Sequence, residues 1–301
     1  MPLREIKQAL WLGFLCAALS VAAPGSVLKV PDEYSTIQQA IDSAEAGDEI
    51  LVAPGLYQET LTIATDDLRL SGSGAGKTIV DGMGRQVALR LYDAARVRIA
   101  GFAFRNASVL VYGYHTSDII LAHNEFQGAI LNGVWFDQSR RRPAHQLISN
   151  RFLNNQWGVY SLADWGGGEV FYAITGNEFV SNRYGIWLDS TAKFRVDGNL
   201  ILSSEGIGLL INWNNLGSAV LRNVIVNCGV GLYIVEQDDE FPDAQTAPRR
   251  HSVARPTKIY HNTLDQNGIA LSLKLPEGFP YDIANNIVTV HGVLGSKEGA
   301  A

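Results

Sequence analysis

The sequence predicts an all-β fold built of stacked coils, a solenoid, and three observations predict it. Asn recurs at Asn124, Asn150, Asn177, Asn199, Asn223, Asn262 and Asn286, at successive spacings of 26, 27, 22, 24, 39 and 24 residues. Two columns stay apolar through every repeat. The residue two after each Asn is Phe126, Phe152, Phe179, Ile201, Ile225, Leu264 or Val288, and the residue three before it is Leu121, Leu147, Ile174, Val196, Val220, Ile259 or Ile283. The composition agrees: the 301 residues include 30 Gly, 47% are apolar and only 18% are charged, which suits short strands and many turns better than a helical bundle. A coil of this length cannot bury its inward face alone. Stacking at the parallel-strand spacing of about 4.8 Å completes a continuous core. Disorder is excluded by the apolar content. Nucleic acid is excluded as the main partner by the net charge of −6, since phosphate binding needs clustered Lys and Arg.

Residues 1–23 read as an export signal. Arg4 and Lys7 precede an apolar run from Ala9 to Leu19, and Ser20, Val21, Ala22 and Ala23 offer small residues for cleavage. The run is short for a membrane anchor, and a lipoprotein reading of Cys16 meets bulky Phe14 and Leu15 just before it. A secreted or periplasmic protein with no membrane span follows. Cleavage leaves Cys228 as the only cysteine. The exported chain then has no internal disulfide, and Cys228 is expected to be a small buried apolar residue.

Residues 24–66 form an N-terminal cap. Ser35 and Gln38 stand at capping-box spacing, and Ile37, Ala40, Ile41 and Ala44 share one helical face. Gly47 is expected to end this helix. Ile50 to Val52 and Leu61 to Ile63 read as strands around a Pro54-Gly55 turn. Residues 67–301 form the repeats. The long spacing of 39 contains an insertion loop at 236–256, rich in Asp, Pro and Arg. One coil earlier, Val97, Ile99, Phe102 and Phe104 follow the pattern without its Asn. The repeated Asn suits a tight turn, bonding its own backbone or the Asn of the next coil. Leucine-rich repeats would need a Leu consensus, and α-solenoids would need helices. The sequence has neither.

The stretch Val27 to Ile63, with Tyr34-Ser35-Thr36-Ile37-Gln38-Gln39-Ala40-Ile41 and Asp48-Glu49-Ile50-Leu51-Val52-Ala53-Pro54-Gly55, is similar to the N-terminal region of pectate-lyase-like proteins. Leu68 to Gly82 and the Asn-x-Phe repeats extend that likeness over nearly all of the exported chain. The resemblance implies a right-handed parallel β-helix, a pectin-lyase-like solenoid whose short N-terminal helix plugs the core with Thr36 to Ala46. That superfamily includes pectate lyases, polygalacturonases, pectin esterases, alginate epimerases and lyases, phage tail spikes and a periplasmic nitrous-oxide-reductase maturation protein. The repeat region looks much like the last of these. No catalytic motif of pectin methylesterases, polygalacturonases or mannuronan epimerases is found.

A second landmark in each coil is Gly133, Gly158, Gly185, Gly208, Gly231 or Gly268. The next residue (Val134, Val159, Ile186, Leu209, Leu232 or Ile269) is expected to point inward, and alternation sends the following one outward. That outward column reads Trp135, Tyr160, Trp187, Leu210, Tyr233 and Ala270. The next outward column reads Asp137, Leu162, Asp189, Asn212, Val235 and Ser272, with Asp164 placed to fill the gap at Leu162 and Trp213 extending the coil of Asn212. Aromatics beside carboxylates suit a glycan groove, because sugar rings stack their C–H faces on aromatic planes while polar groups fix the hydroxyls. Trp135, Tyr160, Trp187, Tyr233, Asn212 and Trp213 are the substrate-binding candidates. Asp137, Asp164 and Asp189 are the catalytic ones. Two coils separate Asp137 from Asp189, near the upper end of the roughly 6.5–9.5 Å that inverting hydrolysis needs. A lyase would instead need neutralisation of a sugar carboxylate, by Ca²⁺ on Asp groups or by Arg, and a basic residue; no other cofactor is called for.

The same columns have a purely structural explanation, since aromatic ladders stabilise β-helices by stacking and an Asp at a strand end often caps a loop. Asp238-Asp239-Glu240 reads as a solvated acidic loop, and Arg140-Arg141-Arg142 as a solvated turn. The six His show no metal-ligand spacing, and His123 and His261, each just before a repeated Asn, read as turn residues. The sequence therefore supports an exported protein that binds or processes a polysaccharide, as a lyase or glycoside hydrolase. Its rival is a non-catalytic periplasmic accessory or binding scaffold.

Overall fold

The repeated Asn forms a ladder that pins each coil to the next. In the computed structural model, which describes residues 25–139, 144–161, 171–189, 193–212, 217–235, 256–274 and 281–289, the N–H of Asn124 donates to Oδ1 of Asn150 at 2.9 Å. The same bond runs from Asn150 to Asn177, Asn177 to Asn199, Asn199 to Asn223, Asn223 to Asn262 and Asn262 to Asn286. Each side-chain amide also reaches back one coil, as Nδ2 of Asn177 does to the Leu147 carbonyl at 2.8 Å. The Asn therefore bonds its neighbours, and Phe102 stands in its place in the coil before Asn124, giving its N–H to Asn124 Oδ1. His123 and His261 precede ladder residues at φ 56 and 58, the left-handed turn conformation.

Each coil turns three times. Its first strand belongs to an 11-stranded parallel sheet running from Val27–Val30 to Tyr281–Ala284. The ladder turn leads to a short strand such as Phe152's Arg151–Leu153 or Phe179's Glu178–Val180. A second turn leads to a third strand: Asn132–Asp137, Trp157–Ser161, Tyr184–Asp189, Ile207–Asn212, Val230–Val235 and Ile269–Lys274. In the early coils these two merge into long strands, Thr78–Tyr92 and Ala103–Tyr114. All pairing between coils is parallel, as in Phe126↔Phe152↔Phe179, with one register shift between Asp81 and Arg85 where the two long strands pair. The solenoid expected from the repeat is the fold, and its form is the parallel β-helix that the resemblance implies.

The core is one continuous column. Phe104, Phe126, Phe152 and Phe179 are fully buried, and their rings follow one another at 5.7, 4.9 and 4.5 Å. Leu121, Leu147, Ile174, Val196 and Val220 line the opposite wall. Cys228 is buried among them. Among the described residues no helix is long and apolar enough to cross a membrane.

The helix spans Ile37–Ser43 and lays Ile37, Ala40 and Ile41 on the first coils. Its cap differs from the expected one. Thr36, not Ser35, accepts the capping bond from Gln39 N–H, and Glu59 takes the Ile37 and Gln38 N–H groups. Gln38 reaches instead to the Thr62 backbone. The helix stops at Ser43, and Gly47 lies beyond it at φ 98.

The last repeat also differs. Gly231 faces Ala270, because Val230 pairs with Ile269 and Leu232 with Leu271. Gly268 packs on Gly229. Ala270 is therefore buried rather than outward, and Ser272 takes the place across from Tyr233. Leu210, also expected outward, is only 6% exposed. The signal segment, the insertion loop at 236–256 except residue 256, the acidic loop and the Arg140 to Arg142 turn lie outside the described residues.

Candidate active site

The third strand of each coil carries the outward aromatics, and the register fixes their order. One column runs Arg90, Tyr112, Trp135, Tyr160, Trp187, Leu210, Tyr233 and Ser272. Within it, Tyr112 and Trp135 are 4.9 Å apart, Trp135 and Tyr160 6.2 Å, and Tyr160 and Trp187 5.7 Å, at interplanar angles of 60°, 65° and 75°. Three of the expected binding residues thus join one run of rings. Tyr233 does not, because Leu210 intervenes. Asn212 is half-buried, between Asp189 and Val235 in register.

Two parts of the run escaped the sequence reading. Tyr112 belongs to the coil that has neither landmark. Trp157 and Tyr184 stack at 5.6 Å and 14° and touch Trp187 at 6.5 and 6.1 Å. Strict alternation turns both inward. Alternation breaks at the Gly that follows each: Gly158 and Val159 are both buried, as are Gly185 and Ile186, and Trp157 and Tyr184 are half-buried. A Cβ on Gly158 would lie 2.5 Å from the Gly185 carbonyl and 2.8 Å from the Phe179 ring, so only Gly admits this approach. On the other side, Tyr114 stacks on Tyr92 at 5.6 Å and meets Tyr112 at 6.5 Å.

The indole N–H groups of Trp135, Trp157 and Trp187 are shielded and have no hydrogen-bond acceptor among the described residues. Edge-to-face contacts of this kind aim ring edges at neighbouring π-faces, where a weak N–H···π contact replaces part of a lost acceptor.

Asp137 borders the rings. The Tyr112 hydroxyl donates to its Oδ2 at 3.1 Å. Burial, reinforced by the Asp137 charge, pushes the Tyr112 phenol up to about 12. Tyr112 is therefore a fixed donor at neutral pH rather than a base. The backbone of Asp189 lies two coils from Asp137, through Phe136↔Ser161↔Leu188. The Asp189 side chain, Asp164 and Trp213 lie outside the described parts. Among the described residues no cluster of three His, Cys, Asp or Glu converges on a metal position.

Beneath Asp137 the core holds a polar group. His145 is fully buried. Its Nδ1 accepts the Ile119 N–H at 3.3 Å, which leaves the proton on Nε2, 3.0 Å from Ser139 Oγ. Ser139 Oγ meets the Tyr172 hydroxyl at 3.3 Å. Phe136 stacks on the imidazole at 4.3 Å. Burial drives the His145 pKa down to about 3, so the ring is neutral.

Residues 88–243 match the family described as right handed beta helix region. No curated protein matches the chain. Among solved structures, an alginate lyase from Paenibacillus sp. str. FPU-7 superposes with a TM-score of 0.68 at 13% identity, over 92% of this chain and 99% of that one. A pectate lyase gives 0.52 at 13% identity, over 92% and 80%. A periplasmic alginate epimerase gives 0.52 at 12% identity, over 89% of this chain and 56% of that one. At such identities the likeness is one of fold.

Proposed function

The chain belongs to the right-handed β-helix family, and from that premise we propose that it binds a polysaccharide along the aromatic face of its third strands. The observation that carries this reading is the unbroken run of rings from Tyr112 through Trp135 and Tyr160 to Trp187, with the Asp137 carboxylate at its edge. A solenoid needs no aromatic on its outer face, whereas sugar C–H faces pack on aromatic planes. Neighbours of the same fold named as alginate lyase, pectate lyase and alginate epimerase support the ligand class. In this reading Asp137, Asp164 and Asp189 supply acid and base groups, or hold Ca²⁺ for a lyase reaction, and the protein is exported with residues 1–22 or 1–23 removed. A mature N-terminus at Ala23 or Pro24 by mass spectrometry tests the export step.

The mutual edge-to-face packing of the rings favours a second reading, a non-catalytic scaffold in which the ladder is structural. Affinity electrophoresis in alginate, polygalacturonate, glucan and mannan separates the two. Retardation of the wild type that is lost in Trp187→Ala supports the groove. A wild type retarded by none of them sinks it.

A further inference from the structure

We propose that a groove on the second turn of the coils is a distal subsite for a neutral sugar residue, at the end of a glycan path that crosses the coils obliquely. This rests on the aromatic face being the main binding site. The groove has a volume of about 380 Å³ and is lined by Ile130, Asn154, Gln156, Arg183, Ser203 and Glu205, among others. That volume is at the small end of ligand pockets, which run from about 300 to 1,000 Å³.

The ring contacts lead to it. Tyr92 and Tyr114 lie in the register column of Asp137, Tyr112, Trp135 and Tyr160 in the next outward column, and Trp157 and Tyr184 at the start of their strands. Successive ring contacts join them, with Tyr160 meeting Trp157 at 6.3 Å. The track therefore drifts across the face as it climbs the coils. It ends at Tyr184, where the Arg183 guanidinium lies 5.6 Å from the ring centroid. The Tyr184 ring lies down on the next coil at Gly206, where a Cβ would be 2.7 Å from its Cε1. Glu205 immediately precedes that Gly and Arg183 precedes Tyr184, so the last ring stands next in the chain to the two charged residues that line the groove.

The charges select the ligand. Arg183 and Glu205 are both exposed, and neither has an ion-pair partner among the described residues. The guanidinium offers donors and the carboxylate offers acceptors, the complement of a vicinal diol. A uronate drawn to Arg183 would also be repelled by Glu205, and an amino sugar drawn to Glu205 by Arg183, whereas a neutral pyranose uses both groups without that opposition. Ile130, 68% exposed, supplies an apolar wall for its C–H face.

Titration calorimetry of the full chain tests this with cello- and manno-oligosaccharides, and oligogalacturonates and oligomannuronates, each as disaccharide and hexasaccharide. Glu205→Ala and Arg183→Ala should each weaken binding of a neutral hexasaccharide about tenfold and leave the disaccharide unchanged, while Trp187→Ala weakens both. Hexasaccharide affinities within about twofold of wild type in both groove variants, with Trp187→Ala still impaired, overturn the subsite and leave the aromatic site standing. A gain in uronate hexasaccharide affinity in wild type over neutral ones overturns the neutral assignment. Loss in the groove variants with Trp187→Ala unaffected keeps the groove and removes the ladder. No binding of any probe by wild type removes both.

Discussion

The Tyr112 hydroxyl donates to Asp137 Oδ2 at 3.1 Å, so the carboxylate beside the rings is held in place by a phenol of the preceding coil. The phenol stays protonated, pushed up to about 12 by burial and by that carboxylate. If Asp137 is an acid or base, Asp137→Asn should lower turnover by about 10²- to 10⁴-fold while glycan binding persists, because the amide keeps the shape and loses the proton chemistry. Tyr112→Phe should lower it less, since it only frees the carboxylate. Product release from the polysaccharide that wild type binds is the measurement. Equal turnover in Asp137→Asn and wild type removes Asp137 from the chemistry.

Trp187 touches Tyr160, Trp157 and Tyr184, so its removal affects the fold as well as the ligand. Aromatic pairs of this geometry contribute about 0.5–1.5 kcal/mol each beyond area burial. Trp187→Ala should therefore destabilise by about 1.5–4.5 kcal/mol and weaken glycan binding more than about tenfold. Trp187→Phe should recover most of the stability, keeping a ring against Tyr160, and only part of the affinity. A Trp187→Phe protein that binds as weakly as Trp187→Ala but melts like wild type assigns the indole to the ligand. Full binding by Trp187→Ala assigns it to the fold.

The coil repeat was legible because burial and the ladder act on the same residues in every coil. Phe152 and Phe179 face each other in register and stack, and the later coils keep an apolar residue there, from Ile201 to Val288. The aromatic column was legible only where the Gly landmark stands. Eight residues separate Phe152 from Tyr160 and Phe179 from Trp187, and the same count reaches Tyr112 from Phe104 and Ser272 from Leu264, but Trp135 and Leu210 stand nine beyond Phe126 and Ile201, so no single count finds the whole column. The Gly count went wrong at Gly268, because Ala270 is small enough to take the Gly position there. Trp157 and Tyr184 were not legible, since each precedes a Gly packed closely against the next coil, where two consecutive residues are buried and alternation is lost. A second ladder was missed as well. Asn155 accepts the Ala129 N–H and Asn267 the Cys228 N–H, but Ser204 and Cys228 interrupt the column and hide its period.

Asn177 should be far less replaceable than Asn286. Its Oδ1 takes the Asn150 N–H and its Nδ2 serves the Leu147 carbonyl, both buried. Asn177→Ala leaves these groups without partners and should cost about 2–4 kcal/mol. Asn286 is the last described rung and half-exposed, so water replaces part of what Asn286→Ala removes. Urea unfolding should show a clear loss of midpoint for the first and a smaller one for the second, at unchanged slope. Equal midpoints would mean that the ladder does not hold the coils together.

His145 should make stability fall with acid. Its pKa is about 3 in the fold against an ordinary 6.5, because burial disfavours the imidazolium. The folded state therefore binds fewer protons than the unfolded chain between these values, and stability rises with pH across that window. The full contribution is present above about pH 6.5 and is lost, at about 1.4 kcal/mol per pH unit, as pH falls toward 3. Asp197, held low by the Arg222 and Arg195 guanidinium groups, adds its own loss at lower pH in any variant that keeps it. The comparison of wild type with His145→Leu isolates the imidazole. The variant loses the acceptor for the Ile119 N–H and the donor to Ser139, so it should melt lower near neutral pH. Its melting temperature should then fall less steeply than wild type between about pH 6.5 and pH 4.5, so that the two curves converge. Parallel curves over that range would show that His145 is protonated in the fold or exposed to water.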